Sequence, residues 1–392
     1  MKILVIAPTP FFADRGTHIR ILEESLALEK LGHEITIVTY HIGKDIQSEV
    51  ETNIDIRRIR RWLFWYTKLE AGPDWQKILL DLLLIRKALY LAYVQRPDII
   101  HAHIHEGVAL GWIVQKCLFW RKIKLVADFH GSLTKEMVSH SYLNGGFLKG
   151  LFSWAEKWIN NMGDAALTSS AENTQEIEHI RKDHKVQTVL DGANLFYFEK
   201  LPSKSALKIE FELPADKVIV TYTGALVPNK GVQYLKEAIL AVLQKNPNIF
   251  FVIAGFPAED MSEFVAQNKL ETSVRVISPL SYFKLPAILA ASDIGVDPKD
   301  SSVRQASGKI LQYMAASLPV VCFDRQNNRT YLDQGGQFAH EISAQGLAGE
   351  ILALADNSEQ MRKKGEFNRI RVKNFSWEIS AKKIEQIYNS II

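Results

Sequence analysis

Short, uninterrupted apolar runs alternate with longer amphipathic stretches in two separate series, and this alternation restricts the fold more than any other feature of the chain. In the first series "KILVIA" leads into "GTHIRILEESLALEKLGH" and then "EITIVTY", and "DIIHAH" and "KIKLVADFH" follow the same rule. Apolar residues recurring at three and four positions predict a helix that ends at Gly32, and the short aliphatic runs predict strands. A strand that is apolar along its whole length has to be covered on both faces, the arrangement of a parallel sheet whose crossovers are helices. The second series begins after the polar segment "EKLPSKSALKIEFELPADK" and runs "VIVTYTG", "IFFVIAG", "VRVI", "DIGVD" and "PVVCFD", with helices predicted over 231–244 and 306–316. At 392 residues the chain exceeds one compact core. The predicted fold class is therefore α/β, with two doubly wound Rossmann-like domains joined near 198–216 and facing across a cleft. "WEISAKKIEQIYNSII" closes the chain as an amphipathic helix with Ile379, Ile384, Ile387 and Tyr388 along one side.

Hydrophobic content of 47% and charged content of 23% exclude a disordered chain. No charge-free run of 18 apolar residues occurs, and the N-terminus enters the first strand without a small-residue cleavage site, so a cytoplasmic protein is expected. Cys117 and Cys322 stand far apart and are expected to be reduced, buried thiols. Net charge is only +3, but residues 57–124 hold 13 Lys/Arg against 5 Asp/Glu, with Trp62, Phe64, Trp65, Tyr66, Phe119 and Trp120 among them. Two readings stand: solvated cations on an exposed face, or peripheral attachment to an anionic inner membrane surface through 57–68 and 116–124. Nucleic acid is not an expected partner, because no nucleic-acid-binding motif accompanies the basic residues.

In open parallel sheets, ligands bind beyond the carboxyl ends of the strands. Polar or permissive residues stand there at Gly16, His103, His130, Lys230 and in the 304–309 loop. "TYTGALVPNKGVQYLKEA" reads as strand, glycine turn, lysine, helix, which suits a phosphate by combining an ammonium with unpaired backbone N–H groups; it is not a Walker loop. In "HAHIHEG" an extended backbone would put His101, His103 and His105 on one face, as zinc requires, but residues 103–107 are expected to leave the strand and scatter the rings. No two aspartates are separated by a single residue, so the D-x-D clamp for a metal on a diphosphate is missing. No metal and no cofactor are expected. The absence of G-x-G-x-x-G after the first strand argues against a dinucleotide oxidoreductase. "SGKILQYMAASLPVV" is the most specific stretch: Ser307 at a predicted N-cap, Ile310, Leu311 and Met314 toward the sheet, and Arg304, Gln305, Gly308 and Lys309 where a ligand would sit.

The ordered series "KILVIAP", "DIIHAH", "DFHG", "DAALTSSAENTQEI", "YTGALVPNKGVQYLKEA", "FFVIAG", "LPAILAASDIGVDP", "KILQYMAASLPVV" and "FSWEISAKKIEQIY" resembles the retaining GT-B glycosyltransferases of glycosyltransferase family 4 over essentially the whole chain. The resemblance implies an acceptor-binding domain over 1–198, a nucleotide-sugar-binding domain over 199–375, and a helix over 376–392 that returns to the first domain. It implies a nucleotide diphosphate sugar as donor and a glycan or lipid-linked acceptor. Lys230 resembles the lysine that pairs with the donor diphosphate, Gly16 the loop glycine that approaches it, and His130 the histidine beside the transferred sugar. Gly224, Gly255, Phe256, Leu280, Arg304, Ser307, Gly308, Lys309 and Gln312 fall on the donor side, and Arg20 and His103 on the acceptor side.

Two departures stand out. Ala225 occupies a position where the family usually has Arg, and the E-x7-E pair falls on Arg304 and Gln312, neither acidic. Gln312 can still hydrogen-bond a ribose diol, while Arg304 or Lys309 could replace the cation missing at Ala225. A non-catalytic nucleotide-sugar-binding subunit is the competing reading. A GT-B-fold sugar nucleotide epimerase is a third, and would need acids in 300–312, where only Asp300 stands.

Overall fold

A computed structural model describes residues 1–69, 74–134, 137, 147–300 and 307–392. It comprises two units, the first Met1–Asp191 with Trp377–Ile392 and the second Gly192–Ser376. Each is built on one parallel sheet.

The first sheet has seven strands: β1 (Lys2–Ala7), β2 (Glu34–Thr39), β3 (Asp55–Arg58), β4 (Ile99–His103), β5 (Lys124–Phe129), β6 (Ala165–Thr168) and β7 (Val186–Thr188), in the order β3-β2-β1-β4-β5-β6-β7. β1 is hydrogen-bonded to β2 and to β4, so strand order reverses between β1 and β4. The apolar runs are buried as their composition demands: Leu4, Ile6, Ile100, Ala102, Leu125 and Ala127 are fully covered. The first helix runs Gly16–Lys30, and Gly32 at φ 88° provides the left-handed turn that a side chain would resist.

The second sheet has six strands: β8 (Val218–Thr223), β9 (Ile249–Ala254), β10 (Val274–Ile277), β11 (Ile294–Asp297), β12 (Val320–Phe323) and β13 (Gly336–Ala339), in the order β10-β9-β8-β11-β12-β13. Its reversal lies between β8 and β11. The helices expected over 231–244 and 306–316 form at Val232–Lys245 and Gly308–Ala315, with Ile310, Leu311 and Met314 buried.

Several expectations are corrected. The divide falls after Asp191 rather than at 198, because Ala193 pairs with Ser376 and the Tyr197 ring packs edge-on at 6.0 Å against both Tyr282 and Phe283. The segment expected as a linker folds: Ser203 caps a helix at Lys204–Glu210, and Leu207 and Leu213 enter a core with Ile219, Phe250 and Val252. In the terminal helix Trp377–Ile391, Ile384, Ile387 and Tyr388 are buried as expected, but Ile379 is exposed and Ala381 takes its place on the buried side. Cys117 is exposed and only Cys322 is buried; both are free thiols.

Candidate active site

In the second unit, cations collect at the carboxyl ends of β8 and β11, the two strands flanking the reversal. After β8 the chain passes Gly224 and Ala225, both exposed, and reaches Lys230 in a single turn of 3-10 helix, Pro228–Lys230. Gly231 follows at φ 78°, and a Cβ there would run into the carbonyl of Pro298, so the lysine turn is packed directly on the chain that leaves β11. That chain carries Lys299, which is only 2% exposed. Arg325, after β12, donates from Nη1 to the Lys299 carbonyl at 3.4 Å. From helix Gly308–Ala315, Lys309 reaches back until its Nζ stands 3.5 Å from Asp297 Oδ1 and 3.9 Å from the centre of the Tyr222 ring.

The electrostatic character of this corner is positive. Asp297 is fully buried, and among the described residues neither of its carboxylate oxygens has a hydrogen-bond donor and Lys309 Nζ has no hydrogen-bond acceptor. Burial first, and then the charge of Lys230, push the Lys299 amine well below the usual lysine range, with Asp297 opposing and Arg325 and Lys309 adding to the fall. Lys230, Lys309 and Arg325, with the Lys299 amine among them and one carboxylate, form a surplus of positive charge that a diphosphate would neutralise.

The other donor-side residues fall at the same sheet edge. Gly224 N donates to Ala254 O at 2.9 Å and Gly255 N to Ile277 O at 3.1 Å, so the loops after β8, β9 and β10 are tied together. Phe256 is exposed, Leu280 is partly exposed and Gln312 is buried. Ser307 occupies the N-cap position, but its side chain makes no capping hydrogen bond, contrary to expectation. Arg304 lies outside the described residues. Lys299 and Arg325 were not legible as site residues: "DPKD" and "FDRQ" have the appearance of ordinary surface loops.

In the first unit the residues read as acceptor-side lie in a buried charge network. Gly16 is exposed at the start of its helix. Arg20, one turn on, is 3% exposed and fully engaged: Nε and Nη2 donate to Asp128 at 3.0 and 3.2 Å, and Nη1 donates to Asp191 at 2.6 Å and to Val189 O at 3.2 Å. The guanidinium of Arg20, read on the acceptor side, is thus engaged within the fold. His103 Nδ1 is 3.2 Å from Asp128 Oδ2 and 3.1 Å from His130 Nε2, so His130 at the end of β5 is oriented by both. Burial, with the neighbouring His101, pushes His103 down to about 3, which keeps the ring neutral at physiological pH. Burial also works against ionisation of Asp128, yet Arg20, backed by His130, His101 and His103, holds its carboxyl well below the usual range.

His101 and His103 do not scatter: their rings stack at 4.5 Å, while His105 turns into the next helix toward Asn160 Oδ1 at 3.1 Å. His101 Nδ1 is 2.5 Å from Tyr388 Oη of the terminal helix, and its Nε2 faces Glu24 at 3.3 Å. Glu24, His101, His103 and Asp128 each offer a ligand atom, all within 4.8 Å of one another, which is a metal-like grouping. The Arg20 guanidinium, 3.0 Å from Asp128 and 3.6 Å from Glu24, already supplies the positive charge among those ligands, so the grouping reads as an ion-pair network.

A separate face of the same unit is apolar and basic. Trp62, Phe64, Trp65, Phe119 and Trp120 are between 56% and 73% exposed. Beside them, helix Gln76–Gln95 exposes Ile78, Leu82, Tyr90 and Tyr93, and the Arg121 guanidinium lies over the Tyr93 ring at 5.2 Å. Arg58 bonds the carbonyls of Phe11, Ile42 and Lys44, and Arg57 Nε donates to Asp55 Oδ2 at 2.7 Å. No helix among the described residues is long and apolar enough to cross a membrane.

Comparison with known proteins gives a consistent picture. Residues 15–195 match the family described as Glycosyltransferase Family 4, and residues 217–357 match Glycosyl transferases group 1. A D-inositol 3-phosphate glycosyltransferase of Corynebacterium glutamicum is 23% identical over 96% of this chain and 92% of its own length. Among solved structures, a sucrose-phosphate synthase from Thermosynechococcus elongatus superposes with a TM-score of 0.79 at 17% identity, covering 99% of this chain and 98% of that one. Anabaena HepE, in complex with UDP and glucose, superposes at 0.77 with 16% identity over the whole of both chains.

Proposed function

Because the chain belongs to glycosyltransferase family 4 and has the GT-B fold, we propose that it moves a hexose-type sugar from a nucleotide diphosphate sugar to a glycan or lipid-linked acceptor, with retention and without a divalent metal. The observation that carries this reading is the cluster of Lys230, Lys299, Lys309 and Arg325 where strand order reverses in the second sheet, the position at which open α/β sheets take up ligands. Similarity to a protein bound to UDP and glucose supports the donor class.

On this reading the second unit holds the donor and the first the acceptor. Departure of the nucleoside diphosphate leaves negative charge on the β-phosphate oxygen, and the ammonium of Lys230 and the amides of its turn stabilise that charge as it develops. A front-face transfer needs the leaving group stabilised and the acceptor held near the reacting carbon, and calls for no enzyme nucleophile there. His130, kept in one orientation by His103 and Asp128, stands as the histidine beside the transferred sugar. Gln312 takes the place of a carboxylate at the ribose, with a weaker hydrogen bond. Direct support would be a nucleoside diphosphate, with UDP as the probe, raising the unfolding temperature of the full chain while the bare nucleoside does not. Equal effects from both would remove the cations from the account.

The second reading, a subunit that binds nucleotide sugar without turnover, draws on one observation, the replacement of both family acids by Arg304 and Gln312. Turnover of a donor separates the two readings.

The exposed aromatic and basic face of the first unit fits peripheral attachment to anionic membrane, with rings at the interface and cations toward headgroups. Replacing Arg57, Arg60 and Arg61 with Gln is expected to reduce co-sedimentation with phosphatidylglycerol vesicles at least tenfold at low salt, given about 1 kcal/mol per basic residue near such a surface. Unchanged co-sedimentation would make these residues ordinary solvated cations.

A further inference from the structure

Tyr222, Asp297 and Lys309 form a buried triangle beneath the loop that follows β8. Asp297 is the last residue of β11 and has no exposed surface, and among the described residues its carboxylate oxygens find no hydrogen-bond donor. Its ion partner at 3.5 Å is Lys309 Nζ, which also lies 3.9 Å from the centre of the fully buried Tyr222 ring. A carboxylate can be kept in such a place when a cation stands beside it. Yet Lys309 Nζ donates no hydrogen bond to Asp297 or to any other described residue, so its three donors are uncommitted.

The frame around this ammonium is fixed. Tyr313, one turn along the helix from Lys309, accepts from Thr223 N at 2.9 Å and donates to Val296 O at 3.3 Å, so the helix is bonded to the ends of both β8 and β11. Tyr222 Oη donates to Ala225 O at 2.7 Å, which holds the loop to the same residue whose ring faces Lys309. Gly224, exposed and at φ 125°, leaves the amine without a side chain over it: a Cβ there would stand 3.4 Å from Lys309 Cε and Nζ. The ammonium therefore has a carboxylate and a ring on its buried side and a bare glycine turn on its outer side.

Resting on the donor reading above, we propose that Asp297 is a positioning residue for the donor: with the Tyr222 ring it holds the Lys309 ammonium beneath Gly224, where that ammonium meets the diphosphate. Asp297 is wholly covered and touches no ligand itself. Its negative charge opposes an anion, so on charge alone its removal would tighten binding. As the seat of Lys309, its removal weakens binding, because an ammonium no longer held in place has to be ordered by the ligand. The two accounts differ in sign.

The experiment is calorimetric titration of the full-length protein with UDP, beside melting curves of the free proteins, for wild type, Asp297→Asn, Lys309→Met and the double variant. Asp297→Asn is expected to bind UDP about tenfold more weakly, the scale of one charge-assisted hydrogen bond, and Lys309→Met to match it. In the double variant the losses should not add, because Asp297 acts through Lys309, and affinity should stay within about threefold of either single variant. Damage to the fold alone would add to the loss from Lys309→Met. Lys309→Met should also melt lower than the double variant, since it leaves the buried carboxylate without its ion partner. If Lys309→Met does not fold, Asp297→Asn and the double variant still decide the matter. Unchanged or tighter binding in Asp297→Asn, losses that multiply in the double variant, or a double variant of wild-type affinity would overturn the proposal with UDP binding intact. Failure of UDP to bind wild type would overturn the donor reading instead.

Discussion

Lys230→Ala is expected to weaken nucleoside diphosphate binding by about ten- to a hundredfold, the range corresponding to about 1.5–3 kcal/mol for a hydrogen bond to a charged group. It should leave the unfolding temperature of the chain nearly unchanged. The asymmetry follows from position. Lys230 sits in a short, partly exposed turn, and the neighbouring packing is carried by Gly231 and by the buried Val232 and Leu235 of the following helix. Removing the ammonium therefore costs the site a cation and the fold little. Calorimetric titration with UDP, beside a melting curve, measures both. An unchanged dissociation constant would show that the diphosphate is held elsewhere, and a large fall in melting temperature would show that the lysine is structural.

Arg20→Ala should do the reverse. Its guanidinium grips Asp128 through two nitrogens, and the Asp128 carboxylate is fully buried. Deleting one partner of a buried ion pair strands the other charge in a medium that cannot solvate it, at a cost of about 3–5 kcal/mol. The stranded carboxylate is then more readily protonated, so the loss should be smaller at low pH. The sign follows from Asp128: its carboxyl is held below the ordinary range in the folded state, so its contribution is present at neutral pH and disappears as pH falls through its folded titration. Urea unfolding of the full chain at neutral pH, followed by the fluorescence of tryptophans, seven of which belong to Met1–Asp191, reads the loss. A change below about 1 kcal/mol would mean that Asp128 is satisfied without Arg20.

These two cations show how differently sequence and fold disclose a residue's work. The strands and most of the helices were legible because burial on both faces leaves continuous apolar runs such as "IFFVIA", which few other structures tolerate. Lys230 was legible because strand, glycine and lysine follow one another within a few residues. β6, β7 and β13 were not, since "AALT", "VQT" and "GQFA" are only three or four residues long. The network around Arg20 was hidden for another reason: it is assembled from β4, β5, the first helix and the terminal helix, with His101 and Tyr388 separated by 287 positions. Nothing local in "HIRILEESL" distinguishes a buried arginine from a solvated one. Helix Gln76–Gln95 misleads in the opposite sense, because its leucine-rich sequence suggests a buried element, while Leu79 and Leu82 are exposed.

A lysine at 230, with Arg304 and Gln312 where the family usually has acids, leaves turnover as the decisive question. The most direct measurement is release of nucleoside diphosphate from a panel of nucleotide sugars, with full-length protein and a membrane and glycan extract as the source of acceptor. The account predicts acceptor-dependent release from at least one donor, with the sugar recovered on the extract and the release lost in Lys230→Ala. A donor that binds tightly, raises the melting temperature and is recovered intact from every incubation would contradict it, and would leave the chain a nucleotide-sugar-binding protein on a transferase fold.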